Sequence, residues 1–104
     1  MGYVRTFTFT VPPERVQELE PGHNLHLATI NGTQIVAQNT TGYLGGSVWR
    51  RLLPTGGVKV VVSTEWAGLS DLEKYLGTPM IGDYEADVAR YHQDVSVEVF
   101  EEVA

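Results

Sequence analysis

Two stretches of the chain alternate with a period of two between large apolar and mostly smaller polar side chains. The first, Tyr3–Val11, is rich in aromatic and β-branched residues. The second, Val58–Trp66, places valines at every other position before it ends in Thr64 and Trp66. This period and composition predict β-strands with one buried face. The chain is therefore expected to form a sheet that other elements cover on one side.

The remaining segments supply helices and two more strands. Proline at 12 and 13 predicts the start of a short helix, and Pro54–Gly57 has the residues of a tight turn. The other predicted elements are a strand at 42–53, helices at 70–76 and 79–91, and a last strand at 95–103 whose valines at 95, 97, 99 and 103 point inward.

The helix that follows Trp66 carries the spacing of a capping box. Ser70 and Glu73 lie three residues apart, which predicts that Ser70 caps the helix through its hydroxyl. Gly77 and Pro79 end the helix. A second helical segment then shows an apolar stripe with spacings of three, four and three, at Ile81, Tyr84, Val88 and Tyr91.

The segment at 23–42 admits two interpretations. Asn31-Gly32 between apolar runs favours a hairpin, and an interior glycine costs a helix about 1 kcal/mol relative to alanine. Topology favours a helix, because a crossover between the first two strands gives the order βαββαβ. We expect the helix, and with it an α+β fold of the ferredoxin-like type with an antiparallel sheet.

Composition limits the function classes. The 104 residues fit one domain over 1–104. The chain has no cysteine, which excludes disulfides and thiolate ligands and favours a cytoplasmic location. Seven basic residues against 13 acidic ones give a net charge of −6, which disfavours nucleic acid as a partner. No stretch reaches the roughly 20 apolar residues of a membrane span, so no membrane partner is expected.

The face of the predicted sheet that helices do not cover is unusual for a surface in water. On its first and third strands it carries almost no charge. Its members are Val4, Thr6, Thr8, Thr10, Val61, Ser63 and Phe100. A second copy packed sheet to sheet would explain this composition, so we expect a homodimer. A threonine-rich surface on a monomer is the alternative.

Four segments together resemble the dimeric α/β-barrel superfamily, and within it the antibiotic biosynthesis monooxygenase-like proteins. They read "GYLGGSVWRR", "VVVSTEW", "LSDLEKYLGTP" and "VEVFEEV". The resemblance implies a small dimeric enzyme of secondary metabolism that oxygenates an aromatic, polyketide-like metabolite without a cofactor. Met80 and Ile81 stand where haem-degrading relatives carry a histidine, so no haem is expected.

The resemblance and the residue chemistry together suggest a candidate site between sheet and helices. Its predicted catalytic residues are His26, Arg50 and Tyr91, with His26 as acid or base and Arg50 stabilising an anion. Trp66, Phe7, Val62 and Tyr84 are predicted to bind the substrate. Core packing is the alternative for Trp66, and solvated surface histidines are the alternative for His23 and His26. Only one of Arg50 and Arg51 can face the site, because neighbouring strand residues alternate.

The sequence predicts neither a metal nor a cofactor. A small hydrophobic or aromatic ligand is the expected partner in the cavity. Two other functions remain open: a non-oxidative cyclase or isomerase on a similar substrate, and a dimeric binding or accessory protein without catalysis.

Overall fold

The computed structural model describes residues 2–19 and 25–104, and it describes only the backbone of 25–29 and 31. Its elements in chain order are β1 (Tyr3–Val11), a short 3-10 helix (Pro13–Leu19), α1 (Leu25–Gln38), β2 (Tyr43–Leu52), β3 (Val58–Trp66), α2 (Leu69–Leu76), α3 (Pro79–Tyr91) and β4 (Gln93–Glu101). In the described part of the chain, no helix is long and apolar enough to cross a membrane.

The four strands form one antiparallel sheet in the order β2-β3-β1-β4. β1 therefore lies beside β3 and β4, while β2 pairs only with β3. The helical connections join β1 to β2 and β3 to β4, which is the predicted βαββαβ order. The α+β, ferredoxin-like fold with an antiparallel sheet is thus confirmed.

The ambiguous segment is a helix, as topology predicted. α1 runs through the Asn31-Gly32 pair without a turn. A Cβ at Gly32 would lie 2.5 Å from the terminal methyl of Met80, which is the end of a flexible side chain and can move away. Gly32 thus lies where α1 approaches Met80 of α3, but this contact does not require a glycine. The hairpin favoured by the Asn31-Gly32 pair does not form.

The helices bury the two central strands and leave the edges of the sheet exposed. The side chains of β1 and β3 that face the helices are all buried from Phe7 to Val11 and from Val58 to Val62. Val97 and Val99 face the same side as Phe7 and Arg5, as predicted, but each is 48% exposed because β4 is an edge strand.

Two local predictions are wrong. α2 begins at Leu69 with Gly68 as its N-cap, and no side-chain hydrogen bond caps it, so Ser70 lies inside the helix instead of capping it. The last strand begins two residues earlier than expected, directly after the α3 C-cap at His92, and ends at Glu101. Val103 is therefore beyond the strand and exposed, not inward.

The sheet face that no helix covers is the open face. Cross-strand register places all seven predicted members on it, since Thr6 pairs with Ser63, Thr8 with Val61, and Val4 with Phe100. The same register also places Lys59, Glu65 and Glu98 on this face, so it carries more charge than the sequence pattern predicted. Trp49 pairs with Val61 and joins them with 61% of its surface exposed. The sequence pattern of β2 did not assign Trp49 to either face of the sheet, and the structure places its large indole on the open face.

Candidate functional site

The core between sheet and helices consists of two apolar clusters. The Trp66 cluster lies at the end of the sheet where β3 finishes, and it comprises Ala37, Trp66, Leu72, Tyr75 and Ile81. The Phe7 cluster occupies the rest of the core, and it comprises Phe7, Phe9, Val11, Leu19, Ile30, Val58, Val60, Val62, Tyr84 and Val88. Four polar side chains lie in the same layer as these clusters, and we call them the seam: Arg5, Thr33, Thr64 and Glu85.

The seam contains a buried ion pair that joins β1 to α3. Both terminal nitrogens of Arg5 donate to Glu85, at 2.6 and 2.7 Å, one to each carboxylate oxygen. The Arg5 side chain is 8% exposed and that of Glu85 is 21% exposed, so the seam reaches solvent at Glu85. A bidentate guanidinium–carboxylate pair fixes the geometry of both groups. It also places a charge-balanced ion pair inside an otherwise apolar layer.

Tyr75 contributes its hydroxyl to the seam. Burial and the nearby Glu85 carboxylate raise the pKa of Tyr75 to about 12, although Arg5 and a hydrogen bond with Thr33 oppose the rise. Thr33 in turn donates to the backbone oxygen of Ile30 at 2.7 Å. The phenol of Tyr75 is therefore protonated at neutral pH and serves as a hydrogen-bonding group, not as a base.

Trp66 is fully buried and fully bonded. Its indole nitrogen donates to the Thr64 hydroxyl at 2.9 Å. Its ring centroid lies 5.9 Å from that of Tyr43 and 5.0 Å from that of Tyr75. These contacts are what core packing requires, and they close the end of the sheet. The substrate-binding role predicted for Trp66 remains a prediction.

Three of the predicted substrate-binding residues lie together in the Phe7 cluster. Phe7 and Val62 are direct cross-strand partners, and the ring of Tyr84 lies 6.2 Å from the Phe7 ring at a tilt of 54°. Burial, followed by the charges of Glu85 and Tyr75, raises the pKa of Tyr84 even further than that of Tyr75. The Tyr84 hydroxyl is buried and has no hydrogen-bond partner among the described residues.

The structure does not bring the predicted catalytic residues together. Arg50 pairs with Val60 and so faces the helix side, while Arg51 faces the open face, but Arg50 is exposed on the edge strand β2. Tyr91 is 48% exposed, and the guanidinium of Arg15 lies 5.3 Å above its ring. His26 lies in α1, and its side chain is outside the described part.

Tyr91 and Trp66 are at opposite ends of the sheet. Tyr91 lies at the end of α3 and contacts Arg15, which is in the short helix just after the end of β1. Trp66, in contrast, pairs with Tyr3, the first residue of β1. The nine residues of β1 span about 26 Å at the usual rise per strand residue. The two side chains therefore do not share a cavity, although the sequence pattern suggested one. His23 is outside the described residues.

Sequence reasoning missed the charged members of the seam. Arg5 stands in the inward register of β1 between Tyr3 and Phe7, and a charged residue at a buried position was the available signal. The sequence position of Glu85 does not indicate that it is part of the core, because it lies beside the apolar stripe of α3, where a solvated helix residue is also expected. Their pairing depends on how α3 crosses β1, which the sequence does not specify.

A separate cavity of about 300 Å³ lies at the end of the sheet where β1 begins. Its lining includes Tyr3, Leu44, Glu65 and Glu102. None of the seam residues lines it. Within the described part of the chain, no three His, Asp or Glu side chains are close enough together to hold a metal ion.

Comparisons with known proteins give similarity in structure only. No protein-family model matches the chain, and no curated protein matches its sequence. The Mycobacterium tuberculosis protein Rv0793 superposes with a TM-score of 0.76 at 16% identity, over 100% of this chain and 97% of its own. A "putative antibiotic biosynthesis monooxygenase" from Deinococcus radiodurans gives 0.75 at 14% identity, over 98% and 93%.

A second protein of the same description, from Caulobacter crescentus, gives a TM-score of 0.71 at 19% identity, over 99% of this chain and 91% of its own. These identities support a statement about the fold alone. The resemblance inferred from the sequence is thus confirmed in architecture: the chain has the ferredoxin-like α+β fold of the antibiotic biosynthesis monooxygenase-like proteins.

Proposed function

We propose that the protein is a cofactor-independent monooxygenase of an aromatic, polyketide-like metabolite that binds between the sheet and the helices. The observation that carries the proposal is the buried Arg5–Glu85 ion pair in an apolar core, accompanied by phenols that stay protonated. We infer that a developing substrate anion displaces the Glu85 carboxylate from the guanidinium, and that the phenols donate hydrogen bonds to this anion. The shared fold with the structures named above adds support.

Besides this environment, the proposed reaction needs only a base and a group that stabilises the substrate anion. A base removes a proton from an activated ring carbon, and the resulting carbanion reduces O₂ to form a carbon-bound hydroperoxide. Loss of water from the hydroperoxide leaves a carbonyl, so one oxygen atom enters the product and the other leaves in water. We assign the anion-stabilising role to Arg5 in preference to Arg50, because Arg5 is buried and Arg50 is exposed. His26 is retained as the proposed base.

Oxygen uptake with anthrone as substrate tests this proposal. We expect uptake above the uncatalysed rate, matched by one product carbonyl per O₂. The variant Arg5→Met should lower the rate by at least about tenfold, as loss of one anion-stabilising group does. Lys74→Met, which removes an exposed cation from the last turn of α2, is the control.

The same experiment separates the alternatives. No uptake over background with several phenolic substrates would count against oxygenation. Turnover of such a substrate under strict anaerobiosis would indicate a cyclase or isomerase instead. Binding without turnover in either condition would indicate an accessory protein.

We also propose that the protein is a homodimer packed through its open faces. Charge distribution supports this pairing, because Arg51 and Lys59 lie directly opposite each other at one end of the face, and Glu65 lies at the other end. Two like charges side by side are unfavourable in one chain. A two-fold axis across the strands would place them over Glu65 of a second copy. The lack of cysteine agrees with a dimer that acts in the cytoplasm.

Sedimentation at micromolar concentration tests the dimer. We expect twice the 11.5 kDa chain mass, and a clean 11.5 kDa species would rule the dimer out. Trp49→Ser should shift the species toward monomer. The matched control is Leu52→Ser, which removes an exposed apolar side chain of the same strand from the opposite side of the sheet.

A further inference from the structure

The hydroxyl of Tyr84 lacks a structural explanation in the described core. The residue is only 5% exposed, and its oxygen has no hydrogen-bond partner among the described residues. A buried polar atom without a partner destabilises a fold, and native cores contain few of them. Phenylalanine would fill the same volume without that cost. The oxygen is therefore the feature that needs a reason.

The fold supplies partners for the other buried polar rings nearby. The Trp66 indole bonds to Thr64, and the Tyr75 hydroxyl lies close to the hydroxyl of Thr33. Both threonines are almost completely buried, so each is present at a position where a polar atom needs one. Tyr84 has no such companion in the described part of the core. No described residue uses its hydrogen-bonding capacity.

The surroundings of Tyr84 indicate the chemistry of that group. Its ring contacts the Phe7 ring at 6.2 Å, and the Arg5 guanidinium lies 5.9 Å from the centroid of the same Phe7 ring. The Phe7 ring thus lies between the Tyr84 ring, which carries a hydrogen-bond donor, and the buried guanidinium of Arg5. Since burial raises the pKa of Tyr84, the phenol keeps its proton and donates it in a hydrogen bond. The matching acceptor is an oxygen that is neutral or carries partial negative charge.

We propose that the Tyr84 hydroxyl is a specificity-determining donor that binds a ring-attached oxygen of the aromatic ligand, so that phenols and aryl ketones are preferred over rings without oxygen. This rests on the proposed function only for the location of the ligand between sheet and helices. The role is a binding contact, and it requires no chemical step.

Binding of two small probes, measured by calorimetry under nitrogen, tests the inference. The probes are 1-naphthol and naphthalene, which differ by one oxygen. We expect the wild-type protein to bind 1-naphthol about tenfold more tightly, as one well-placed buried hydrogen bond allows. Tyr84→Phe should abolish this preference and leave naphthalene affinity unchanged. Tyr3→Phe, a partly exposed tyrosine at the start of β1, is the matched control and should keep the preference.

Several results would overturn the inference. One is a preference for 1-naphthol that survives in Tyr84→Phe, and another is wild-type protein that binds neither probe. A third is a Tyr84→Phe variant that is more heat-stable with unchanged 1-naphthol affinity, which would mean that the hydroxyl holds a water only. The variant is expected to fold because it loses no described hydrogen bond. If the preference is lost in the variant but anthrone gives no oxygen uptake, the inference stands and the oxygenase proposal fails.

Discussion

The two apolar clusters of the core differ in how their polar atoms are satisfied. In the Trp66 cluster, the indole nitrogen donates to the buried Thr64, and the Tyr75 hydroxyl lies close to the buried Thr33. In the Phe7 cluster, the Tyr84 hydroxyl has none in the described part of the chain. A satisfied polar atom stabilises the fold, whereas a buried unsatisfied one costs stability. The proposed recognition role of Tyr84 would explain why the Phe7 cluster keeps such an atom.

The largest effect should come from emptying the satisfied cluster. Trp66→Ala removes a fully buried side chain, and we expect it to lower the free energy of unfolding by about 3–5 kcal/mol. Urea denaturation measures this change. Trp49→Ala, the same substitution on the open face, should cost far less in the monomer. A loss below 1 kcal/mol for Trp66→Ala would mean that Trp66 belongs to a ligand site and not to the scaffold.

The next effect concerns the ion pair in the seam. Glu85→Gln leaves the buried Arg5 charge without its counter-ion, and we expect a loss of about 2–3 kcal/mol, below the usual range because Glu85 is partly exposed. The more exposed pair Arg15–Glu18 provides the control, since Glu18→Gln should cost under about 1 kcal/mol. The double variant Arg5→Met, Glu85→Leu should recover much of the loss. Equal losses in the two single variants would contradict a special role for the seam.

A smaller effect compares the two buried phenols directly. Tyr75→Phe deletes a hydroxyl that lies close to Thr33 and should lower the free energy of unfolding by at most about 1 kcal/mol. Tyr84→Phe deletes an unpartnered hydroxyl and should leave stability unchanged or slightly raised. Chemical denaturation of both variants gives the comparison. If Tyr84→Phe were the more damaging, its hydroxyl would have a structural partner and the contrast between the clusters would fail.

The effect that is smallest at neutral pH is a change in the alkaline limb of the stability profile. Burial raises the folded-state pKa of Tyr75 from 10.0 to about 12, so above pH 10 the unfolded chain loses the proton first. Stability is therefore intact below pH 10 and falls toward pH 12, by at most about 1.4 kcal/mol per pH unit for this group. Tyr75→Phe should flatten the fall, and so should Tyr84→Phe. Tyr91→Phe, which changes a half-exposed tyrosine, should not.

Most of the fold was predictable because it depends on local periodicity. The strand at Val58–Trp66 has the predicted limits, since alternating valines leave one possible buried face. α1 was predicted from topology against a local hairpin signal. Ser70 shows the limit of local motifs, because its spacing to Glu73 fits a capping box but the helix begins one residue earlier.

The candidate site was predictable only in part. Phe7, Val62 and Tyr84 meet as expected, because strand register and helix period place them on buried faces. Arg50 and Tyr91 do not join them, since exposure and distance along the sheet depend on which strands lie at the edge. Arg5 was on the correct face, but its partner lies 80 residues away along the chain.

The sequence by itself determined the strands, the helix order and the antiparallel ferredoxin-like sheet, because these follow from side-chain period and the geometry of crossovers. Only the tertiary structure decided that Trp66 is bonded to Thr64, that Arg5 meets Glu85, and that Tyr84 keeps a free hydroxyl in the described core. The physical reason is that hydrogen bonding in a core depends on distances of a few tenths of an ångström between elements far apart in the chain. Periodicity fixes which way a side chain points, and packing fixes what it meets.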